Sequence, residues 1–415
     1  MAKLECCWKC PYQWSEWSEW LAAGLHARNR WRLPVLFLGI LFASGRRTVT
    51  TWLRAAGVSD DFQDYYYFLI SVGRKTNFVA TRLVLLLIRV LSLPERLLLV
   101  IDDSPTKRYG PKVEGADVHH NPTPGPADQP FLYGHIWVTI SLTLRHPRWG
   151  AIGLPLRAML YVRKRTMEMI PKVRNWHRFA TKLQLAARLV EWVVPILKKA
   201  GKTVWIVVDG GYTKRPFLRR VLKIPDVVII GRLRKDAALC DLPPKRKKGQ
   251  PRGRGRPRKY GKNRLSLVKR AGHRGGWETI ECVLYNQTVT KTYKTFLATY
   301  VPVGGVIRVV LVKEVRLLLD RSQCYGEGNP RSVCRSSHHR TRLPRRKGSL
   351  GHRPATGTQH LDQCGRLSFE FVDAYASRAL GLGPARQDTL RPQRLAMGRR
   401  PTTPFSRRSP QSLAA

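Results

Sequence analysis

The pattern of hydrophobic and polar positions changes near residue 97, and this change predicts where helices give way to a sheet. Before residue 97 the chain has helical patterning, and after it apolar β-branched runs typical of buried strands appear. The predicted elements are then a strand ending at Asp103, strands over 132–144 and 151–162, a helix over 174–199, a strand ending at Asp209, a helix from Thr213 to Val221 and a strand over 226–230. Trp176, Phe179 and Leu185 belong to the apolar side of the predicted helix.

Two of these strands deliver aspartates at their ends. The run at residues 99–104 carries Asp102 and Asp103, and the run at 205–210 carries Asp209. A buried strand does not tolerate an unpaired carboxylate, and a strand tip in an open α/β sheet faces a ligand crevice. The pattern therefore predicts paired carboxylates that hold a divalent metal for phosphoryl chemistry on nucleic acid. Three strands, a helix and a further strand form the order of an RNase H-like core, in which the two aspartate strands are adjacent.

The first part of the chain is predicted to be helical and to bind DNA. Residues 44–54 have the pattern of a capped helix start, a turn follows at 57–60, and an aromatic helix covers 62–70. Short helices joined by a tight turn and flanked by Arg46 and Arg47 fit a helix-turn-helix DNA reader. An ordinary helical cap on the core explains the same pattern, and the sequence leaves both interpretations open.

Charge makes nucleic acid the first partner to consider. The 415 residues contain 75 Lys and Arg against 27 Asp and Glu, a formal net charge of +48. The electric field of such a charge attracts polyanions. Nucleic acid is therefore the first candidate partner, and an anionic membrane surface is the second. The apolar stretch at 33–44 is too short to span a bilayer, and charged residues and a proline interrupt the one at 78–101. We therefore predict no membrane partner and a cytoplasmic, nucleoid-associated protein.

A strongly basic stretch lies within a predicted β-rich insertion over 232–314. Eleven of the twenty residues 245–264 are Lys or Arg. The candidate DNA-binding residues in this stretch are Lys245, Arg246, Arg254, Arg256, Arg258 and Lys259. Binding to phosphates without sequence preference is favoured, and reading of an A·T-rich minor groove by residues 254–257 is the alternative.

The last hundred residues lack a core pattern. Residues 316–415 contain eighteen arginines, one lysine and almost no apolar periodicity, which is typical of a disordered basic tail. A sharper hypothesis is that this tail is translated out of frame. One choice of synonymous codons for residues 361–379, shifted by one base, encodes an amphipathic helix. The predicted division is a helical region 1–96, an RNase H-like core 97–231, an insertion 232–314 and a tail 315–415.

Several motifs resemble bacterial insertion-sequence transposases of the DDE superfamily. These motifs are IDDSPTKRYG at 101–110, HHNPTPGP at 119–126, FLYGH at 131–135 and VDGGY at 208–212. Since they occur in family order, the resemblance covers residues 30–314, and it is closest to the group with a β-rich insertion before the glutamate. It implies that Asp, Asp and Glu bind two Mg²⁺ or Mn²⁺ ions. With these ions the enzyme would cleave and transfer strands of transposon-end DNA.

The resemblance assigns Asp103 and Asp209 as the first two catalytic, metal-binding carboxylates. Asp103 is chosen because the family aspartate precedes Ser or Thr, and strand alternation should turn Asp102 to the other face. The family glutamate has no match in frame, and Glu314 lacks its context. We therefore expect a disabled transposase that binds DNA ends and target, with a homo-oligomer on DNA as a further expectation. The alternative is a non-catalytic basic nucleic-acid-binding protein.

Weaker candidates surround the two aspartates. Basic residues that could clamp phosphates are Lys107, Arg108, Lys214 and Arg215, and a second basic cluster contains Arg163, Lys164, Arg165, Lys172 and Arg174. A solvated basic face explains the clamp residues equally well. His119, His120 and His135 could orient DNA or a water molecule, although histidines in loops and cores are more often structural.

Overall fold

The computed structural model describes residues 12–60, 62–110, 113–121, 129–170, 178–244, 255–256, 258–284 and 287–313. The described chain divides into two compact units, one running to Pro94 and the other starting at Glu95. The tail 315–415, Glu314 and the basic residues Lys245, Arg246, Arg254, Lys172 and Arg174 lie outside the described residues. The four-part division of the chain stays a prediction.

The first unit is helical, as its patterning predicts. Its described helices are α1 (Tyr12–Ala22), α2 (Arg32–Phe42), α3 (Val49–Ala55), α4 (Phe62–Arg74) and α5 (Thr76–Val90). Helix α3 begins where the Thr48 hydroxyl accepts a hydrogen bond from the Thr51 N–H at 3.2 Å. Leu53 and Phe68 are almost completely buried in the core of this unit, and Arg46 and Arg47 are exposed just before α3.

The second unit is built on a mixed sheet of six described strands. These strands are β1 (Arg96–Lys107), β2 (Asp117–His120), β3 (Phe131–His146), β4 (Gly150–Tyr161), β5 (Thr203–Val208) and β6 (Val227–Gly231). Strand β3 pairs antiparallel with β1 on one edge and with β2 and β4 on the other, while β5 runs parallel to β1 and β6 parallel to β5. This order confirms the α/β, RNase H-like mixed sheet, with the two aspartate strands adjacent.

Helices α6 (Lys164–Met169), α7 (Lys182–Lys199) and α8 (Arg215–Val221) complete the core of this unit. Helix α7 packs on the sheet through fully buried residues such as Leu189 and Val193. It begins at Lys182 rather than near residue 174, because Thr181 and Gln184 form a capping box that starts the helix there. Phe179 therefore precedes the helix, and Trp176 lies outside the described residues.

A second sheet follows the first along the chain. Its described strands are β7 (Leu239–Cys240), β8 (Arg264–Leu265), β9 (Glu278–Leu284), β10 (Gln287–Tyr300) and β11 (Gly305–Lys313), with the short helix α9 (Leu267–Gly272) between β8 and β9. The buried Tyr300 hydroxyl donates to the Thr213 carbonyl at 3.1 Å and joins this sheet to the loop after β5. None of the helices described is both long enough and apolar enough to cross a membrane.

Candidate active site

The strand register brings two aspartates to the same edge of the first sheet. In the parallel pair β1 and β5, the last register partners are Ile101 and Val208. Asp102 follows Ile101 and Asp209 follows Val208, so the two aspartates lie level with each other. Continuation of the strand alternation by one residue beyond β5 would place both side chains on the same face, since neighbouring residues in register share a face of a sheet.

Asp103 belongs to the opposite face. Leu97, Leu99 and Ile101 are almost completely buried, and Asp103 is the next residue in this alternation. Its Oδ2 accepts a hydrogen bond at 2.5 Å from the Nζ of Lys182, the first residue of α7. The register thus favours Asp102 over Asp103 as the partner of Asp209. The assignment of Asp103 as a metal ligand stays a prediction.

Asp102 lies in an electrostatic environment that opposes its negative charge. Burial raises the pKa of Asp102 to about 6, and the nearby carboxylates of Asp103 and Asp209 act in the same direction. The Asp103 N–H donates to Asp102 Oδ1 at 2.8 Å, which acts in the opposite direction. A divalent cation at this position would offset the repulsion between the carboxylates.

Tyr212 is buried beside these carboxylates. Its hydroxyl donates to Asp103 Oδ1 at 3.1 Å. Burial, followed by the charge of Asp103, raises the pKa of Tyr212 far above its ordinary value. The phenol therefore stays protonated and acts as a hydrogen-bond donor at neutral pH.

The exposed Asp209 starts a tight loop after β5. The Tyr212 N–H donates to the Asp209 carbonyl at 2.9 Å, and the Gly211 N–H lies 3.4 Å from Asp209 Oδ2. The Thr213 hydroxyl donates to the Gly210 carbonyl at 2.9 Å. These bonds fold the loop back on itself and fix the position from which the Asp209 carboxylate projects.

The donor chemistry at this edge fits a divalent cation in part. Carboxylate oxygens of Asp102 and Asp209 are the ligand type that Mg²⁺ and Mn²⁺ prefer. Within the described ranges, however, no three His, Cys, Asp or Glu side chains form a group that could hold a metal ion. Glu278 and Glu281 lie on β9 of the second sheet, where Glu278 accepts from the Tyr293 hydroxyl. The two aspartates therefore form an incomplete ligand set.

The histidines hold protein structure at this end of the sheet. His135 Nδ1 accepts from Arg108 Nε at 3.1 Å, and its Nε2 lies 2.9 Å from the Glu114 carbonyl. His119 is buried, and burial together with the charge of Arg163 lowers its pKa to about 4, so this ring is neutral at pH 7. His120 is exposed and contacts the edge of the Phe131 ring.

Arg163 and Arg165 pair with a buried carboxylate. Arg165 donates to both oxygens of Asp117, at 2.6 and 3.1 Å, the Thr166 hydroxyl donates at 2.7 Å, and Arg163 lies 3.8 Å away. The hydrogen bonds from Arg165 contribute most to holding the pKa of Asp117 well below its usual range. These arginines, which the sequence suggested as DNA-tracking residues, thus connect α6 and the residue before it to β2.

Replacing Asp117 by Asn is expected to lower the free energy of unfolding at pH 7 by about 1–2 kcal/mol, because two charge-assisted hydrogen bonds are weakened. A carboxylate with a lowered pKa stabilises the fold above its unfolded pKa of about 3.9 and loses that effect as the pH falls. Urea unfolding at pH 7 and pH 3.5 should therefore show a cost at the higher pH that shrinks at the lower one. An equal cost at both values would contradict this assignment.

A basic cleft lies beside α8. It is open and shallow, and it is lined by Arg219 of α8 and by Arg256, Arg258, Lys259 and Tyr260, which lie between β7 and β8. No ion pair joins any of these four cations to a carboxylate in the part of the chain that the structure describes. Cations and an aromatic side chain on one open surface are typical of surfaces that bind a nucleic-acid backbone.

The remaining basic candidates lie around the ends of the two aspartate strands. Lys107 and Arg108 are exposed at the end of β1, and Lys214 and Arg215 are exposed at the start of α8. Lys182 and Tyr212 were not among the site residues that the sequence predicted. Their contacts with Asp103 span 79 and 109 residues, so no local spacing could have found them. The VDGGY motif contains Tyr212 and was the one available signal.

A family model described as DDE superfamily endonuclease matches residues 21–294. The matched range includes both aspartate strands and continues into β10 of the second sheet. No curated protein matches the chain.

Proposed function

The chain belongs to the DDE superfamily endonucleases, and from this premise we propose that it binds transposon-end and target DNA as a transposase of a bacterial insertion sequence. The observation that carries this proposal is the pair Asp102 and Asp209, level at the ends of two parallel strands. The exposed cations on either side supply the complementary charge for a phosphate backbone. A protein with this substrate would act at the nucleoid in the bacterial cytoplasm, and could assemble as a homo-oligomer on DNA.

We assign Asp102 and Asp209 as the carboxylates that would hold Mg²⁺ or Mn²⁺. When bound, such an ion activates a water or a 3′-hydroxyl and stabilises the leaving 3′-oxygen. Lys214 and Arg215 directly follow the Asp209 loop and carry positive charge to the scissile phosphate. Lys107 and Arg108 supply the same charge at the end of β1, where Arg108 is oriented by its bond to His135.

The polypeptide as written is proposed to bind DNA without cleaving it. With two carboxylates of three, a second metal ion has too few ligands, and the sequence offers no glutamate in the family context. Such a protein could occupy transposon ends and repress active copies. The out-of-frame origin of the tail fits this proposal, and the nucleotide sequence from codon 300 onward, translated in all three frames, tests it.

The full chain should bind a 30-base-pair DNA duplex and should bind Mn²⁺. In 5 mM Mg²⁺ or Mn²⁺ it should nick a supercoiled plasmid no more than its Asp209→Asn variant does. Gel shift, Mn²⁺ titration and agarose electrophoresis measure the three properties. Nicking that Asp209→Asn abolishes would contradict the proposed inactivity and would support the endonuclease chemistry. DNA binding without any Mn²⁺ binding would instead favour the non-catalytic nucleic-acid-binding protein, which the net charge of +48 also suits.

A further inference from the structure

A hydrogen-bonded cluster on the α7 face of the first sheet plays no direct part in the proposed metal chemistry. Lys182 Nζ donates to one carboxylate oxygen of Asp103 at 2.5 Å, and the Tyr212 hydroxyl donates to the other at 3.1 Å. The three residues come from β1, the first turn of α7 and the loop after β5. Each oxygen of Asp103 therefore already has a donor from the protein.

Tyr212 is tied to the site at both ends. Its backbone N–H donates to the Asp209 carbonyl at 2.9 Å, and its hydroxyl donates to Asp103. Its ring is 3 % exposed and packs edge-on against Phe217 of α8, with 6.2 Å between the ring centroids. Through this one residue, the carboxylate of Asp103 is connected to the backbone of Asp209.

We propose that Asp103 is a positioning residue that fixes the Asp209 loop through Tyr212, while Lys182 holds the Asp103 carboxylate in place. The inference rests on the proposed function, because its consequence is that Asp209 is presented level with Asp102. Lys182 also supplies the positive charge that balances Asp103 next to two other carboxylates. This charge leaves Asp102 and Asp209 as the pair available to a cation.

The opposing hypothesis is that Asp103 itself binds the metal. In that case the Tyr212 hydroxyl would compete with the metal for Asp103, and its removal would leave Mn²⁺ affinity unchanged or raise it. If Asp103 positions the loop, removal of the same hydroxyl loosens the loop and weakens Mn²⁺ binding at Asp209. The two hypotheses therefore predict different results for a change that leaves every carboxylate in place.

The test is amide hydrogen exchange on the full chain in EDTA, comparing wild type with Tyr212→Phe and Asp103→Asn. Tyr212→Phe keeps the buried ring and removes only the hydroxyl. Loss of a hydrogen bond to a charged group should raise the exchange rate of the Tyr212 amide about tenfold. The double variant should exchange no faster than the faster single variant, since Tyr212→Phe removes, and Asp103→Asn weakens, the same hydrogen bond.

Tyr293→Phe is the matched control, because Tyr293 also donates to a carboxylate, that of Glu278 at 2.6 Å in the second sheet. It should leave exchange over residues 209–213 unchanged. In a parallel Mn²⁺ titration, Tyr212→Phe should raise Kd several-fold with a shift in urea midpoint no larger than that of Tyr293→Phe. This affinity change separates positioning from a merely structural role.

Unchanged exchange over residues 209–213 in both Tyr212→Phe and Asp103→Asn would overturn the inference. If Asp103→Asn does not fold, Tyr212→Phe alone decides in the same way. Failure of the proposed function has a different signature, namely a wild-type protein that binds no Mn²⁺. The exchange measurement needs no metal, so it decides the role of Asp103 in either case.

Discussion

Asp102→Asn is expected to abolish Mn²⁺ binding and, at pH 8 without metal, to raise the free energy of unfolding by about 1–3 kcal/mol. The asparagine Oδ1 can still accept the Asp103 N–H, so the change removes charge and keeps the local hydrogen bond. Loss of a metal ligand should weaken Mn²⁺ binding by more than about 100-fold. Changing a residue that only hydrogen-bonds to a metal ligand usually has a smaller effect. The gain in stability follows from the raised pKa of about 6.

The sign of the pH dependence follows from this shift. A carboxyl group whose pKa is higher in the folded protein binds its proton more tightly there, so its ionisation destabilises the fold. That penalty is fully present above about pH 6 and disappears below the unfolded pKa of about 3.9. The two proteins should therefore differ in urea unfolding at pH 8 and should be nearly equal at pH 3.5.

Asp209→Asn is the control for this prediction. The Asp209 side chain is exposed, so its replacement should remove Mn²⁺ binding with little change in stability at pH 8. Equal stability of Asp102→Asn and wild type at pH 8 would contradict the electrostatic environment described for Asp102. Retained Mn²⁺ binding in Asp102→Asn, with loss in Asp103→Asn, would instead support the family-based assignment of Asp103.

The sheet of the second unit could be predicted because its strands are local patterns. The β-branched runs that end at Asp103 and Asp209 needed no knowledge of distant residues, and short connections with a helix between β4 and β5 restrict the strand order. The start of α7 was missed because apolar spacing continues upstream of Thr181, although the helix begins at that cap. The capping box was a local signal, and it was outweighed by the apolar residues before it.

The choice between Asp102 and Asp103 could not be made from the sequence. Alternation along β1 says that the two side chains face opposite ways, and the register with β5 is the observation that favours Asp102 as the partner of Asp209. That register is a contact between segments about a hundred residues apart. The same reason hides Lys182, whose role depends on where α7 starts over the sheet.

Replacing Arg256 and Arg258 together by glutamine is expected to weaken binding to a duplex of any sequence by about 30-fold at 0.15 M salt. Both residues line the basic cleft with Arg219, and two lost phosphate contacts reduce the slope of log Kd against log salt by about 1.8. Fluorescence anisotropy with a 30-base-pair duplex between 0.05 and 0.3 M NaCl measures both quantities. Two duplexes of unrelated sequence distinguish phosphate binding from minor-groove reading, because only groove reading depends on A·T content.

Lys199→Gln with Lys223→Gln removes the same net charge and serves as the matched control. Lys199 ends α7 and Lys223 precedes β6, so both exposed residues lie where strands of the first sheet begin, at the edge opposite Asp102 and Asp209. If the cleft binds DNA through local contacts, this control should reduce affinity far less and leave the salt slope nearly unchanged. An equal loss in both double variants would mean that total charge attracts DNA and that the cleft beside α8 has no special part in holding it.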